Sequence, residues 1–488
     1  MVGLVVLFHS LAFLVFFPTV VALTFATPPR HRWALLLAAS YYFYAAWKPE
    51  YLVLIVASTV VDYAVGLRLA ETTGGRKKWL LAASLTFNLG LLFAFKYADF
   101  FGASVQAAFR AANVMVDVPA LELLLPVGIS FYTFQTLSYT VDVYRGEREP
   151  ERHLGRFALY VAFFPQLVAG PIERSTHLLP QLKTLPAFDA DRVSRGLGLM
   201  LWGFFKKLVI ADRAAVFVDA VYADPERFGG PTIIAATYLF AFQIYADFSG
   251  YSDIAVGTAR VLGVELMENF ERPYAARSIT DFWRRWHISL STWFRDYLYV
   301  PLGGGRVAAR QRLFNVAVVF LLSGLWHGAN WTFVAWGVFH GLLFAITWAL
   351  TGAWHAATRT LSDEARSLLA GALGIPLTFH LVCLGWMFFR ADDLGHLRVV
   401  LAQLPVVTAA SVLDDLTRIG PAPAEALVVE LGVLAISIAT LEIVEWARRR
   451  PRAQAVPVVL RWPAWALLSS WTLLCAVQGH TPFLYFQF

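Results

Sequence analysis

RLFNVAVVFLLSGLWHGANWTFVAWGVFHGLLFAITWAL (312–350) carries a formal charge only at its first residue, Arg312. Its two apolar arms, 313–327 and 331–350, approach the roughly 17–25 apolar residues that cross bilayer hydrocarbon. Between them lies SGLWHGANW (323–331), with an ionisable side chain, His327, and an amide, Asn330. Measured from Arg312 at a membrane surface, His327 lies ~22 Å into a core about 30 Å thick. A histidine at that depth is costly unless it meets a polar cavity or a partner, which makes it a functional candidate. A neutral histidine hydrogen-bonded between helices is the competing structural account. In the functional account Gly324 and Gly328 open space beside the ring, the Asn330 amide offers it a polar partner, Trp326 and Asn330 are candidate substrate-binding residues, and the neutral imidazole accepts a proton.

Working outward, the whole chain has this character. Of 488 residues, 58% are hydrophobic and 15% charged, with a mean hydropathy of +0.57. Soluble domains carry about a quarter charged residues, so the composition specifies an all-α polytopic membrane protein. Apolar segments fall near 3–27, 33–47, 51–67, 79–96, 121–144, 157–170, 196–218, 231–263, 313–327, 331–350, 367–389, 425–446 and 457–477. We expect about eleven transmembrane helices, the remainder being re-entrant or interfacial, in a single membrane domain over 1–488. No basic residue precedes Arg30, so the first segment reads as a retained span rather than a secretory signal. Cys383 and Cys475 lie in separate apolar segments and read as inert thiols. The net charge of +6 is spread between spans, where it sets orientation and offers no face for nucleic acid.

Basic residues alternate between loops. Arg30 and Arg32, then Arg68, Arg76, Lys77 and Lys78, then Arg145, Arg148, Arg152 and Arg156 crowd three loops, against Lys48, Lys96 and Arg110 in the alternate ones. The excess side is cytoplasmic, which puts the N-terminus outside. Segment 157–170, short, containing Pro165 and flanked by basic residues on both sides, reads as re-entrant.

The most polar stretch is SITDFWRRWHISLSTWFRDYLYVPLGGG (278–305). Ser278 or Thr280 can cap a helix, and Pro301 with Gly303–Gly305 ends it. At about 100° per residue, Asp281, Arg284, His287, Ser291 and Arg295 share one sector, with aromatic residues opposite. That pattern predicts an interfacial amphipathic helix over about 279–299. Its polar stripe suits lipid headgroups. It equally suits phosphates of an anionic donor, held by Arg284 and Arg295. In YADFSGYSDIAVG (245–257), Asp247 and Asp253 are expected to line the same cavity or to pair with the arginines of that helix. No phosphate-binding loop, dinucleotide fingerprint, serine-hydrolase elbow or metal-ligand spacing is present, so no metal or bound cofactor is expected. His340 follows His327 by about 220° round a continuous helix and reads as structural.

Several of these stretches together resemble the bacterial membrane-bound O-acyltransferases, in the branch of the alginate O-acetyltransferase membrane subunit. They are LLPVGISFYTFQTLSYTVDVYRG (124–146), FFPQLVAGPIER (163–174), YADFSGYSDIAVG, ITDFWRRWHISLSTWFRDYLYVPLGG (279–304), LSGLWHGANWTFVAWGVFHG (322–341) and FLYFQF (483–488). The motif core covers about 120–345. The resemblance implies that His327 is catalytic and His287 a second signature residue. It implies a ring of helices around a thin centre, where a cytoplasmic tunnel meets an outward funnel. It also implies a bacterial inner-membrane enzyme that takes acetyl from cytoplasmic acetyl-CoA for O-acetylation of an exported polysaccharide, alginate or similar. An extracytoplasmic acetyltransferase partner of the SGNH type would complete the transfer. The D-alanyl transfer protein of teichoic acid synthesis shares the histidine elements and is the nearest alternative. A small-anion transporter without bond chemistry is the alternative of a different class.

Overall fold

A computed structural model of the chain describes residues 8, 10–407, 412–417, 424–448, 458–477 and 483–484. Among them the regular structure is entirely helical. The helices are α1 (Leu11–Ala26), α2 (Arg32–Ala45), α3 (Leu52–Glu71), α4 (Gly75–Leu92), α5 (Ala98–Ala111), α6 (Ile129–Arg145), α7 (Leu154–Ala162), α8 (Phe164–Leu167), α9 (Ser175–Lys183), α10 (Ala190–Phe205) and α11 (Asp212–Ala223). They continue with α12 (Gly230–Leu262), α13 (Ile279–Arg285), α14 (Ile288–Phe294), α15 (Ala309–His327), α16 (Trp331–Ala357), α17 (Asp363–Arg390), α18 (Leu394–Gln403), α19 (Val412–Thr417), α20 (Ala424–Ala447) and α21 (Val458–Cys475). Among the described residues four helical stretches, Pro49–Glu71, Gly75–Ala111, Trp331–Ala357 and Asp363–Arg390, are long and apolar enough to cross a membrane. Two compact units emerge: Met1–Met200 with Ser252–Glu268, and Leu201–Tyr251 with Asn269–Phe488.

In the first unit α3, α4 and α6 pack around a buried carboxylate. Asp62 accepts hydrogen bonds from Ser84 Oγ at 2.5 Å, Asn88 Nδ2 at 2.9 Å and Thr140 Oγ1 at 3.3 Å, and Ser58 Oγ donates to Asn88 Oδ1 at 2.6 Å. A polar group at this depth is tolerable only when so satisfied. The expected span 121–144 is shorter than its apolar pattern. Residues 114–126 are irregular, Gly128 turns the chain at φ 77°, and α6 starts at Ile129. Within 157–170, α7 has only 9 residues, ~14 Å of helix, which cannot cross the hydrocarbon. Phe157 through Phe164 are buried inside the unit, the condition under which a non-spanning element survives at membrane depth.

The second unit holds the paired arms 313–327 and 331–350. α15 and α16 pack face to face because glycines remove the obstacle between them. A Cβ on Gly324 would lie 2.3 Å from the Phe333 carbonyl oxygen, and one on Gly337 2.4 Å from that of Phe320. Gly324 and Gly337 therefore close the helix pair, so Gly324 is filled by α16 and opens no space beside His327, whereas Gly328 lies against the Phe333 ring.

The expected helix over 279–299 is broken. α13 ends at Arg285, His287 adopts the left-handed conformation (φ 45°, ψ 55°), and α14 restarts at Ile288. The cause lies upstream, where residues 269–271 run alongside and take the backbone hydrogen bonds. Ile288 N donates to Asn269 O at 2.9 Å, Ser289 N to Asn269 Oδ1 at 3.2 Å, and Glu271 N to Arg285 O at 2.8 Å. With the break, the shared sector of Asp281, Arg284, His287, Ser291 and Arg295 no longer exists. Ser278 is the cap, its Oγ accepting from Asp281 N at 3.1 Å. Phe282, Trp286, Leu290, Trp293 and Phe294 are buried and pack inward.

Candidate active site

His327 is the last residue of α15. Gly328 is extended, and Asn330 starts α16 by accepting from Thr332 N at 3.0 Å while donating Nδ2 to the Asp392 carbonyl at 2.6 Å. Asn330 is thus a cap and a tether to the turn after α17, not the polar partner of His327 that the sequence suggested. The His327 ring, only 6% exposed, sits edge-to-face with Trp326 (5.1 Å between centroids), Trp336 (5.1 Å) and Phe389 (5.2 Å).

The left-handed turn aims His287 at the same spot. Its ring, 1% exposed, lies 6.5 Å from His327, 5.8 Å from Trp326 and 4.7 Å from Phe248. Trp326 therefore touches both imidazoles. His340 is linked to the same cluster through Trp336, 4.8 Å away, and its ring nitrogens have no hydrogen-bond partner among the described residues.

Gly328, which follows His327 in the chain, and Phe389, which packs on its ring, form part of the wall of a cavity of about 480 Å³. The remaining wall includes Lys207, Asp212, Asp219, Gln243, Asp247, Asn330, Phe333, Arg390, Asp392 and Leu484. Part of that wall is a charge cluster. Lys207 Nζ lies 2.7 Å from Asp247 Oδ1 and 2.8 Å from Asp212 Oδ1. A π-helical turn at Lys206–Ala211 creates this geometry, rotating both Lys207 and Asp212 out of the α-helical phase. Gly250 lets α12 come close, since a Cβ there would lie 2.8 Å from Gly203 O. The other Asp247 oxygen accepts from Leu484 N at 2.9 Å, and the Lys207 ammonium stands 4.4 Å from the Phe483 ring centroid. The terminal aromatic stretch thus begins against the cavity; residues 485–488 lie outside the described part.

The other expected site residues distribute unevenly. Asp247 lines the cavity, and its partner is Lys207 and not an arginine of 279–299. Asp253 belongs to the first unit. Arg284 is exposed and makes no ion pair or hydrogen bond among the described residues, whereas Arg295 is held by its neighbour Asp296 at 2.7 Å. Asp281 is bound to Arg285 at 2.8 Å. Sequence reasoning missed Lys207, Gln243, Arg390 and Asp392. Lys207 had a signal, a Lys-Lys pair inside the apolar run 196–218, which an intramembrane charge always warrants following. Among the described residues no cluster of three or more His, Cys, Asp and Glu is assembled for a metal ion.

Comparison with known proteins adds the chemistry. The sequence model of the membrane-bound O-acyltransferase family matches residues 151–384, a stretch that contains α7 through most of α17 and both imidazoles. A probable alginate O-acetylase of Azotobacter vinelandii is 42% identical over 391 residues, 79% of this chain and 75% of that protein. Its counterpart from Pseudomonas putida is 36% identical over 505 residues, 99% of this chain and 100% of that protein. A peptidoglycan O-acetyltransferase of Helicobacter pylori is 37% identical over 387 residues, 74% of this chain and 71% of that protein. An all-helical, repeatedly membrane-crossing chain with this breadth of similarity belongs to the membrane-bound O-acyltransferase family, and it is an O-acyltransferase.

Proposed function

We propose that the protein passes an acetyl group from cytoplasmic acetyl-CoA across the bacterial inner membrane for O-acetylation of an exported polysaccharide, with His327 as the base. The observation that carries this reading is the pair of buried imidazoles 6.5 Å apart behind the wall of a polar cavity. A thioester made inside and a glycan modified outside meet without moving the charged donor across the bilayer. Alginate and peptidoglycan O-acetylation by the relatives named above support acetyl as the group transferred. The positive-inside rule places the basic loops in the cytoplasm and the N-terminus in the periplasm. It also turns the acidic connection 217–230, which supplies Asp219 to the cavity, outward. An extracytoplasmic SGNH-type acetyltransferase is the proposed partner in final transfer.

In this mechanism the acceptor hydroxyl gives its proton to a ring nitrogen of His327 as its oxygen attacks the thioester carbonyl. The carbon–sulfur bond breaks, the ester carbon–oxygen bond forms, and the leaving thiolate takes up the proton from His327. His287 polarises or orients the carbonyl, an electrostatic role that needs only placement. Trp326 keeps the two rings in register. Arg284, exposed and unengaged, is the better placed of the two proposed phosphate ligands, because Arg295 already holds Asp296.

The test is ester-linked acetyl on the cell-surface polysaccharides of a strain with a chromosomal His327→Ala, alongside its wild type, with protein quantified in membranes. Loss of a positioned base predicts a fall of roughly 10²–10⁴-fold in transfer. Unchanged acetylation at normal protein level would return His327 to a structural role. Labelled D-alanyl in place of acetyl on the polymer would reassign the group transferred.

A further inference from the structure

We propose that the groove between the end of α3 and the start of α4 holds the headgroup of an anionic phospholipid, with its phosphate between Arg68 and Arg76. This site belongs to the first unit, whereas both imidazoles belong to the second.

α3 and α4 lie in helical stretches that are each long and apolar enough to cross a membrane, and residues 72–74 join them. The turn therefore emerges at a bilayer surface, with Arg68 and Arg76 each about one helical turn or less from it. There Arg68, Glu71, Thr72, Arg76, Trp79 and Leu80 line a groove of about 390 Å³, a volume in the range of small-ligand sites.

Two observations mark the groove as a phosphate site at lipid level. First, neither Arg68 nor Arg76 makes an ion pair or hydrogen bond among the described residues, although Glu71 shares the lining. Arg195 and Arg295, by contrast, each hold a nearby carboxylate, Asp191 and Asp296. Two open guanidinium groups on one groove suit a phosphate, whose oxygens match their planar forks. Second, Trp79 of the same lining is 78% exposed. An indole that exposed, in the second turn of a spanning helix, stands at the level of lipid headgroups. A soluble phosphate would gain nothing from it.

Charge decides between headgroups. The lining has two cations against one carboxylate, a formal +1, and Lys78, next to Trp79 in sequence, adds a further exposed cation. The phosphodiester of phosphatidylglycerol cancels that excess, and Glu71 can accept from its glycerol hydroxyls. Phosphatidylethanolamine brings its own ammonium and leaves the excess standing.

The experiment titrates the full-length, delipidated protein in neutral detergent with phosphatidylglycerol or phosphatidylethanolamine of identical acyl chains. Native mass spectrometry reads the bound lipid by its mass. Wild type is expected to bind its first phosphatidylglycerol about ten-fold or more tightly than its first phosphatidylethanolamine. Arg68→Gln with Arg76→Gln should abolish that preference. Arg306→Gln with Arg310→Gln, an equal loss of exposed charge outside the groove, should preserve it. Excess acetyl-CoA or inorganic phosphate should leave the bound lipid in place. Equal affinity of wild type for the two lipids overturns the proposal, as does tighter binding of phosphatidylethanolamine. An equal loss in both double variants overturns it too, since bulk charge would then account for the preference. Displacement of the lipid by acetyl-CoA or phosphate would give the groove to a soluble anion instead, and would overturn it as well.

Discussion

At the scale of single residues, the most exacting arrangement is Lys207 between Asp247 and Asp212, all three buried. Removing one member of such a group strands the others without compensation, which typically costs about 3–5 kcal/mol. Lys207→Ala is therefore expected to lower the thermal unfolding midpoint sharply in detergent. The triple change Lys207→Met, Asp212→Asn, Asp247→Asn should cost less than the single one, because no uncompensated charge remains. A smaller loss in Lys207→Ala than in the triple variant would show that the charges do not stabilise one another. The same residues show what a sequence conceals. Asp247 was legible because it interrupts an apolar run, but its partner was not, since a π-turn 36–41 residues upstream decides which way Lys207 points.

At the scale of elements, the arms 313–327 and 331–350 were readable directly, because apolar length and the polar interruption between them leave few alternatives. What holds them together was not. Gly324 contributes nothing to a hydropathy profile, yet a methyl group there would press within 2.3 Å of a backbone oxygen of α16. Overpacking of this kind typically costs about 1–3 kcal/mol. Gly324→Ala should therefore destabilise the protein and reduce acyl transfer together, since His327 lies one turn further along α15. A folded, fully active Gly324→Ala would mean that α16 can retreat without disturbing the ring. The break between α13 and α14 was equally hidden. Periodicity reports which side of a helix is apolar, and it says nothing of a neighbouring segment, 269–271, that competes for the backbone hydrogen bonds.

At the scale of the whole molecule, composition fixed the membrane class and charge counting fixed an expected orientation, while the division into two units rests on distant contacts that no local pattern records. Stability against pH also belongs to this scale, and two sites outside the spanning helices set its limits. His177 titrates above an ordinary histidine because it hydrogen-bonds Glu173 at 2.7 Å, an effect that exceeds the opposing one of burial. Its contribution is complete below the unfolded-state value and is lost as pH rises through the raised one. For Glu151, burial is the largest single influence and pushes upward. The Lys183 bond at 2.6 Å, the His153 amide and the Arg156 charge together outweigh it, and the carboxyl titrates below its ordinary range. That contribution is present above the unfolded-state carboxylate value and is lost on acidification through the depressed one. Unfolding midpoints measured between about pH 4 and pH 9 should fall on both flanks. His177→Gln should flatten the alkaline flank and leave the acid one unchanged. A steeper alkaline flank in that variant would assign the loss to other groups.

His287 holds a backbone conformation that costs a residue with a Cβ about 1–2 kcal/mol relative to glycine, and it does so where its ring must reach His327. Stability and activity are therefore set against each other at this one position. His287→Gly should melt at a higher temperature than His287→Ala while neither variant transfers acyl groups at the wild-type rate. An evolutionary or laboratory search for a hardier protein would find the glycine first, and would lose the enzyme by taking it.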